Sequence, residues 1–92
     1  MLSIIKKLLI NSNLKISKQY DKHEKKYWFC ILKCTYIITV NKLNDKITEI
    51  KRIKENNNSY DKILKSDILI SKELNIIKTF LESQCKKNNY ND

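Results

Sequence analysis

The sequence predicts an α+β fold: a small antiparallel sheet of three strands (14–20, 26–41 and 46–54), packed by an N-terminal helix and by a C-terminal helix over 72–86. Three observations lead there. Residues 25–41, KKYWFCILKCTYIITVN, form the longest run of aromatic and β-branched residues, the types that lose most χ1 freedom in a helix and fit a pleated surface best. Apolar residues recur at helical spacing near both ends. With 92 residues and neither glycine nor proline, the chain offers no linker, so 1–92 is expected to be one domain with one core.

In residues 2–10, LSIIKKLLI, a helix places Leu2, Ile5, Leu8 and Leu9 on one side and Ser3, Lys6 and Lys7 on the other. The two lysines break the apolar run, so neither a signal peptide nor a membrane span is expected. A helix this short is expected to pack on the sheet rather than lie on a membrane. Asn11-Ser12-Asn13 supplies its stop. Residues 14–20 alternate Leu14, Ile16 and Tyr20 against Lys15, Ser17 and Gln19, the pattern of a half-exposed strand; one continuous helix through Leu2, Ile5, Leu9, Ile16, Tyr20 and His23 is the alternative. Asp21–Lys26 reads as a charged turn.

Within 26–41, read as a single central strand, one face carries Trp28, Cys30, Leu32, Cys34, Tyr36, Ile38 and Val40 and is expected to be the core wall. The other face carries Tyr27, Phe29, Ile31, Lys33, Thr35, Ile37, Thr39 and Asn41 and is expected to be only partly covered. Asn44-Asp45 is suited to a hairpin turn leading into strand 46–54, where Ile47, Ile50 and Ile53 leave the period ambiguous. Asn56-Asn57-Asn58 marks a break. After it Ser59 and Asp61 can start a short helix through Ile63 and Leu64, and Ser71 can cap the helix over 72–86, whose apolar face is Leu74, Ile77, Leu81 and Cys85, widened by Ile76 and Phe80. Opposite, Lys78, Glu82 and Lys86 make a solvated face. The tail from about 87 is expected to fray.

Lys, Ile and Asn make up 44 of the 92 residues, while Gly, Pro and Ala are absent. Codon composition explains this best: an A·T-rich genome, as in many phages, mobile elements, viruses and low-G·C bacteria, favours the first set and starves the second. Without glycine, every left-handed backbone position must use Asn, Asp or Lys.

The net charge is +9, and it is uneven: +6 over residues 1–34, +2 over 35–60 and +1 over 61–92. An electropositive surface should therefore be built largely by the N-terminal third, the net charge being enough to draw the chain toward nucleic acid, an acidic protein or an anionic membrane. All but one of the basic residues are Lys, Arg52 being the exception, which favours long-range attraction over bidentate reading of bases. Three Cys at no framework spacing argue against a disulfide-stapled secreted domain and for a reducing compartment, taken as the cytoplasm. Cys30 and Cys34, roughly 13 Å apart on one strand, are too far apart to bridge or share a metal and are expected in the core.

Catalysis would have to begin at His23, the single histidine, which could serve a small ribonuclease toxin. Nothing adjacent fixes it or partners it, so no enzymatic activity is expected. One His and scattered Cys give no metal-ligand pair, and no phosphate-cradling loop can be built without Gly; no cofactor or metal is expected. For binding, Tyr27 and Phe29 with Lys25 and Lys33 could stack bases and hold phosphates, unless a helix covers that face. The function expected is that of a small interaction protein, encoded by a phage or mobile element, that blocks a host nucleic-acid-handling complex in the manner of an anti-restriction or anti-CRISPR inhibitor. Its surface is expected around Lys15, Lys18, Lys22, Lys25, Lys26, Tyr27, Phe29 and Lys33, and its partner to be an acidic protein or ribonucleoprotein. The alternative is a sequence-independent binder of single-stranded nucleic acid.

Overall fold

In the computed structural model, which describes residues 2–55 and 59–90 (the side chains of 87–90 excepted), two consecutive residues decide the architecture. Leu32 (φ 53°) and Lys33 (φ 59°) both adopt the left-handed conformation. That pair of dihedrals makes the two-residue turn whose twist matches the right-handed twist of flanking strands. The expected single strand 26–41 is therefore a hairpin, β2 (Glu24–Ile31) and β3 (Cys34–Asn41), closed by the pair Ile31↔Cys34.

The full order is α1 (Leu2–Asn11), β1 (Ser17–Tyr20), β2, β3, β4 (Ile47–Lys54), β5 (Lys62–Leu64) and α2 (Asp67–Tyr90). All strands form one antiparallel sheet in the order β1-β2-β3-β4-β5, with β3 at its centre. The fold is α+β with both helices on one face of the sheet, and among the described residues the sheet has five strands rather than three.

The turn also inverts one half of the expected face assignment. A two-residue turn puts paired residues on the same face, so Tyr27, Phe29 and Ile31 of β2 share a face with Cys34, Tyr36, Ile38 and Val40 of β3. Those residues, with Ile50, Leu64, Ile5, Leu9, Ile70, Leu74, Ile77 and Leu81, make one cluster between sheet and helices. Phe29 and Tyr36 stack across it with centroids 5.6 Å apart. Trp28 and Cys30, expected in the core wall, face the opposite side, and Leu32 is half exposed in the turn. Cys30 is exposed, its Sγ 3.3 Å from Thr35 Oγ1, while half-buried Cys34 lies on the helix side. The expected four-residue separation on one strand does not apply to them.

α1 ends as its sequence dictates. Asn13 sits at φ 60°; its N–H donates to Ile10 O at 3.0 Å and the N–H of Leu14 donates to Leu9 O at 3.0 Å, the paired bonds of a Schellman cap with Asn in glycine's usual place. This termination rules out the long-helix alternative. β1 keeps only the second half of the expected strand 14–20, because Leu14 and Ile16 turn inward against the core instead of pairing. The next turn, also without glycine, puts Asp45 at φ 56°.

The short helix expected from Ser59 to Leu64 is instead the edge strand β5, which buries Leu64 against Ile50. α2 begins five residues earlier than expected: the Leu69 N–H donates to Ser66 Oγ at 3.2 Å, so Ser66 rather than Ser71 is the cap. Ile70 then extends the buried stripe Leu74, Ile77 and Leu81 by one turn, which Ile76, half exposed, does not widen. The helix continues through the expected frayed segment to Tyr90. The Asn56–Asn58 break and residues 91–92 lie outside the described residues. Among the described residues, no helix is long and apolar enough to cross a membrane.

Candidate functional site

Ion pairing divides the lysines into two populations. Among the described residues, every ion pair uses a basic residue from Lys46 onward: Lys46–Asp67, Lys51 and Lys65 with Glu49, Arg52 and Lys54 with Asp61, Arg52 and Lys62 with Glu73, and Lys78–Glu82. Among the described residues, no lysine from Lys6 to Lys42 forms an ion pair with a carboxylate. Of the two acids of that region, Asp21 is engaged by backbone N–H groups, and among the described residues neither it nor Glu24 forms an ion pair, so the N-terminal bias in charge becomes a surface of unpaired lysines. Asp21 Oδ1 accepts the backbone N–H groups of His23 and Glu24 at 2.8 and 2.7 Å, which holds its carboxyl below the usual range and closes the β1–β2 turn as an Asx turn.

Along that hairpin, Lys15, Lys18 and Lys22 are exposed and Lys25 and Lys26 half-buried. Register places Lys18 opposite Tyr27, Gln19 opposite Lys26 and Tyr20 opposite Lys25. Tyr20 is 55% exposed; its ring has Lys25 Nζ at 5.9 Å and Lys42 Nζ at 5.7 Å from the centroid, and Lys42 also donates to the Asp21 carbonyl across the β3–β4 loop. An exposed ring with two ammonium groups near it is thus added to the lysines. Neither Tyr20 nor Lys42 was legible as a site residue, since they meet only through the register of three strands.

The other expected residues are not part of this surface. Tyr27 and Phe29 are 5% and 3% exposed, lying under the helices because the Leu32-Lys33 turn puts them on the core face. Lys6 of α1 covers Tyr27, with Nζ 3.1 Å from the hydroxyl and 4.3 Å from the ring centroid. Base stacking on Tyr27 and Phe29 is closed off. Lys33 is exposed in the β2–β3 turn, at the far end of β2, roughly 20 Å along the strand from Lys25.

His23 lies exposed in the β1–β2 turn and enters hydrogen bonds through its backbone alone, its carbonyl accepting the Lys42 N–H at 2.9 Å. No group of His, Cys, Asp and Glu among the described residues is arranged to hold a metal.

A second polar cluster is buried and structural. Glu73, 2% exposed, accepts from Tyr36 Oη at 3.1 Å and from Lys62 Nζ at 2.9 Å, with Arg52 Nη1 3.9 Å away. Arg52 also holds the Asp61 carboxyl below its usual range. This network ties α2 to β3, β4 and β5. Compared with known proteins, the chain matches no family model, no curated protein and no solved structure.

Proposed function

We propose that the chain is a non-catalytic interaction protein that binds and blocks a host nucleic-acid-handling complex, in the manner of an anti-restriction or anti-CRISPR inhibitor. The observation that carries this reading is the set of lysines without carboxylate partners on the β1–β2 hairpin. Ammonium groups fixed along a strand pair complement phosphates or carboxylates spaced along a groove. They also speed encounter with an acidic protein or ribonucleoprotein. Such a surface suits occupation rather than chemistry, since a general base needs a fixed position and a partner, and among the described residues the exposed His23 side chain makes no hydrogen bond that would fix it. The A·T-rich coding signature supports a phage or mobile element as source.

A pull-down from host lysate with and without nuclease tests this. A defined acidic protein complex is expected at both conditions, because the docking is to protein and survives removal of nucleic acid. Recovery of nucleic acid alone, with no protein under either condition, would sink it.

A further inference from the structure

Both helices lie on one face of the sheet, and the other face is not the polar surface that one-sided burial ordinarily leaves. Its central row, set by register, runs Ser17, Trp28, Ile37, Lys51, Ile63 across all five strands. Neighbouring rows bring Gln19, Lys26, Thr39 and Glu49 on one side and Cys30, Thr35 and Ile53 on the other. Ile37 is only 2% exposed yet lies outside the helix-side core. Its cover comes from its own face, where Trp28 and Lys51 flank it on the adjoining strands. Tyr60 is 43% exposed, with Lys51 Nζ 4.6 Å from its ring centroid. At the β2–β3 turn the face meets a hollow of about 360 Å³ at the sheet's rim, lined from this face by Cys30, Thr35 and Ile53 and from the helix face by Cys34 and Lys54, with Lys33 and Glu55 beside them.

We infer that this open face is a platform for single-stranded nucleic acid, with Trp28 and Tyr60 as stacking surfaces and Lys26, Lys51 and Lys33 as phosphate contacts. Charge selects the occupant. Lys26, Lys51, Lys65 and Lys33 stand against Glu24 at one end of the face, Glu55 at the hollow and Glu49, which is already bridged by Lys51 and Lys65 at 3.4 and 3.8 Å, so the face keeps a small surplus of positive charge around an apolar and aromatic centre. A second copy would set lysine rows on lysine rows at +9 against +9. A single strand offers both complements, phosphates for the ammonium groups and base faces for the rings, without sequence reading. A duplex keeps its bases stacked and offers the rings nothing. The inference does not rest on the preceding function; it uses the open face of the sheet, and of the hairpin lysines only Lys26 belongs to both.

Trp28 is the chain's single tryptophan, so its emission reports the site directly. Titrating the full chain with an oligothymidylate of about 15 nucleotides, the duplex of equal length and heparin should give saturable quenching by the single strand alone. In anisotropy assays with the labelled oligonucleotide, Trp28→Ala and Tyr60→Ala should each weaken binding about tenfold, the scale of one lost base stack. Trp28→Phe should bind almost as wild type, and Lys26→Glu with Lys51→Glu should abolish binding and its salt dependence. Absence of quenching, equal quenching by heparin or duplex, or unchanged affinity in a folded Tyr60→Ala protein would each overturn the inference. Because quenching is read on the wild-type chain, a Trp28→Ala protein that fails to fold leaves the test intact.

Discussion

Leu32 is the residue at which the backbone departs furthest from what its side chain prefers. A left-handed conformation costs an ordinary L-residue about 1–2 kcal/mol, and here two consecutive non-glycine residues adopt it. Lys33, Asn13 and Asp45 belong to the types expected to replace glycine; a γ-branched apolar residue does not. The turn persists because the pairs on both strands, from Ile31↔Cys34 to Glu24↔Asn41, over-determine it. Replacing it with the residues such a turn favours, Leu32→Asn with Lys33→Gly, should raise stability by about 1 kcal/mol. The gain should appear as a higher urea midpoint at unchanged slope; a lower midpoint would show that Leu32 contributes more by packing than it costs in conformation.

At the scale of elements, the sheet and α2 are joined by a polar contact inside an apolar seam. Burial pushes the Tyr36 hydroxyl from its ordinary 10 up to about 12. Between those values the unfolded chain gives up that proton while the folded chain keeps it, so stability supplied by this group is complete below pH 10 and falls as pH rises to about 12. Tyr36→Phe removes the bond to Glu73 at a cost of about 1 kcal/mol near neutrality. Denaturant titrations at several pH values should show the gap between wild type and variant narrowing from pH 10 to 12. A constant gap would place the proton elsewhere.

The same scale shows how far the residues alone could be read. Alternation was correct on β3, where Tyr36, Ile38 and Val40 are core, and inverted on β2, where Trp28 and Cys30 were expected inside and Tyr27 and Phe29 are found there. One unrecognised turn accounts for all of it. Leu-Lys carries none of the Asn-Gly chemistry by which a hairpin is recognised, and in a chain without glycine that signal is missing wherever a turn occurs. α1 and its cap were legible because three polar residues follow a clear 3.6-residue stripe. β5 was not, since three residues carry too little period and gain strand conformation only from pairing with β4. Of the candidate site, the lysines were legible from charge bias, whereas Tyr20, Lys42, Trp28 and Tyr60 acquire their neighbours through register.

For the whole molecule, the distribution of charge matters more than its sum. From Lys46 onward ion pairs offset most of the charge across β4, β5 and α2, and among the described residues the lysines of the N-terminal hairpin have no such pairs. That claim separates location from net charge, and two variants can test it. Lys15, Lys18 and Lys22, all exposed, are changed to Glu in one; Lys54, Lys65 and Lys78, all ion-paired, are changed to Glu in the other. Three reversals of two charges each take +9 to +3 in both. The most direct measurement is recovery of the host complex by each variant from nuclease-treated lysate: the hairpin variant should lose it and the ion-pair variant should retain it, whereas equal recovery or equal loss would contradict an N-terminal binding surface.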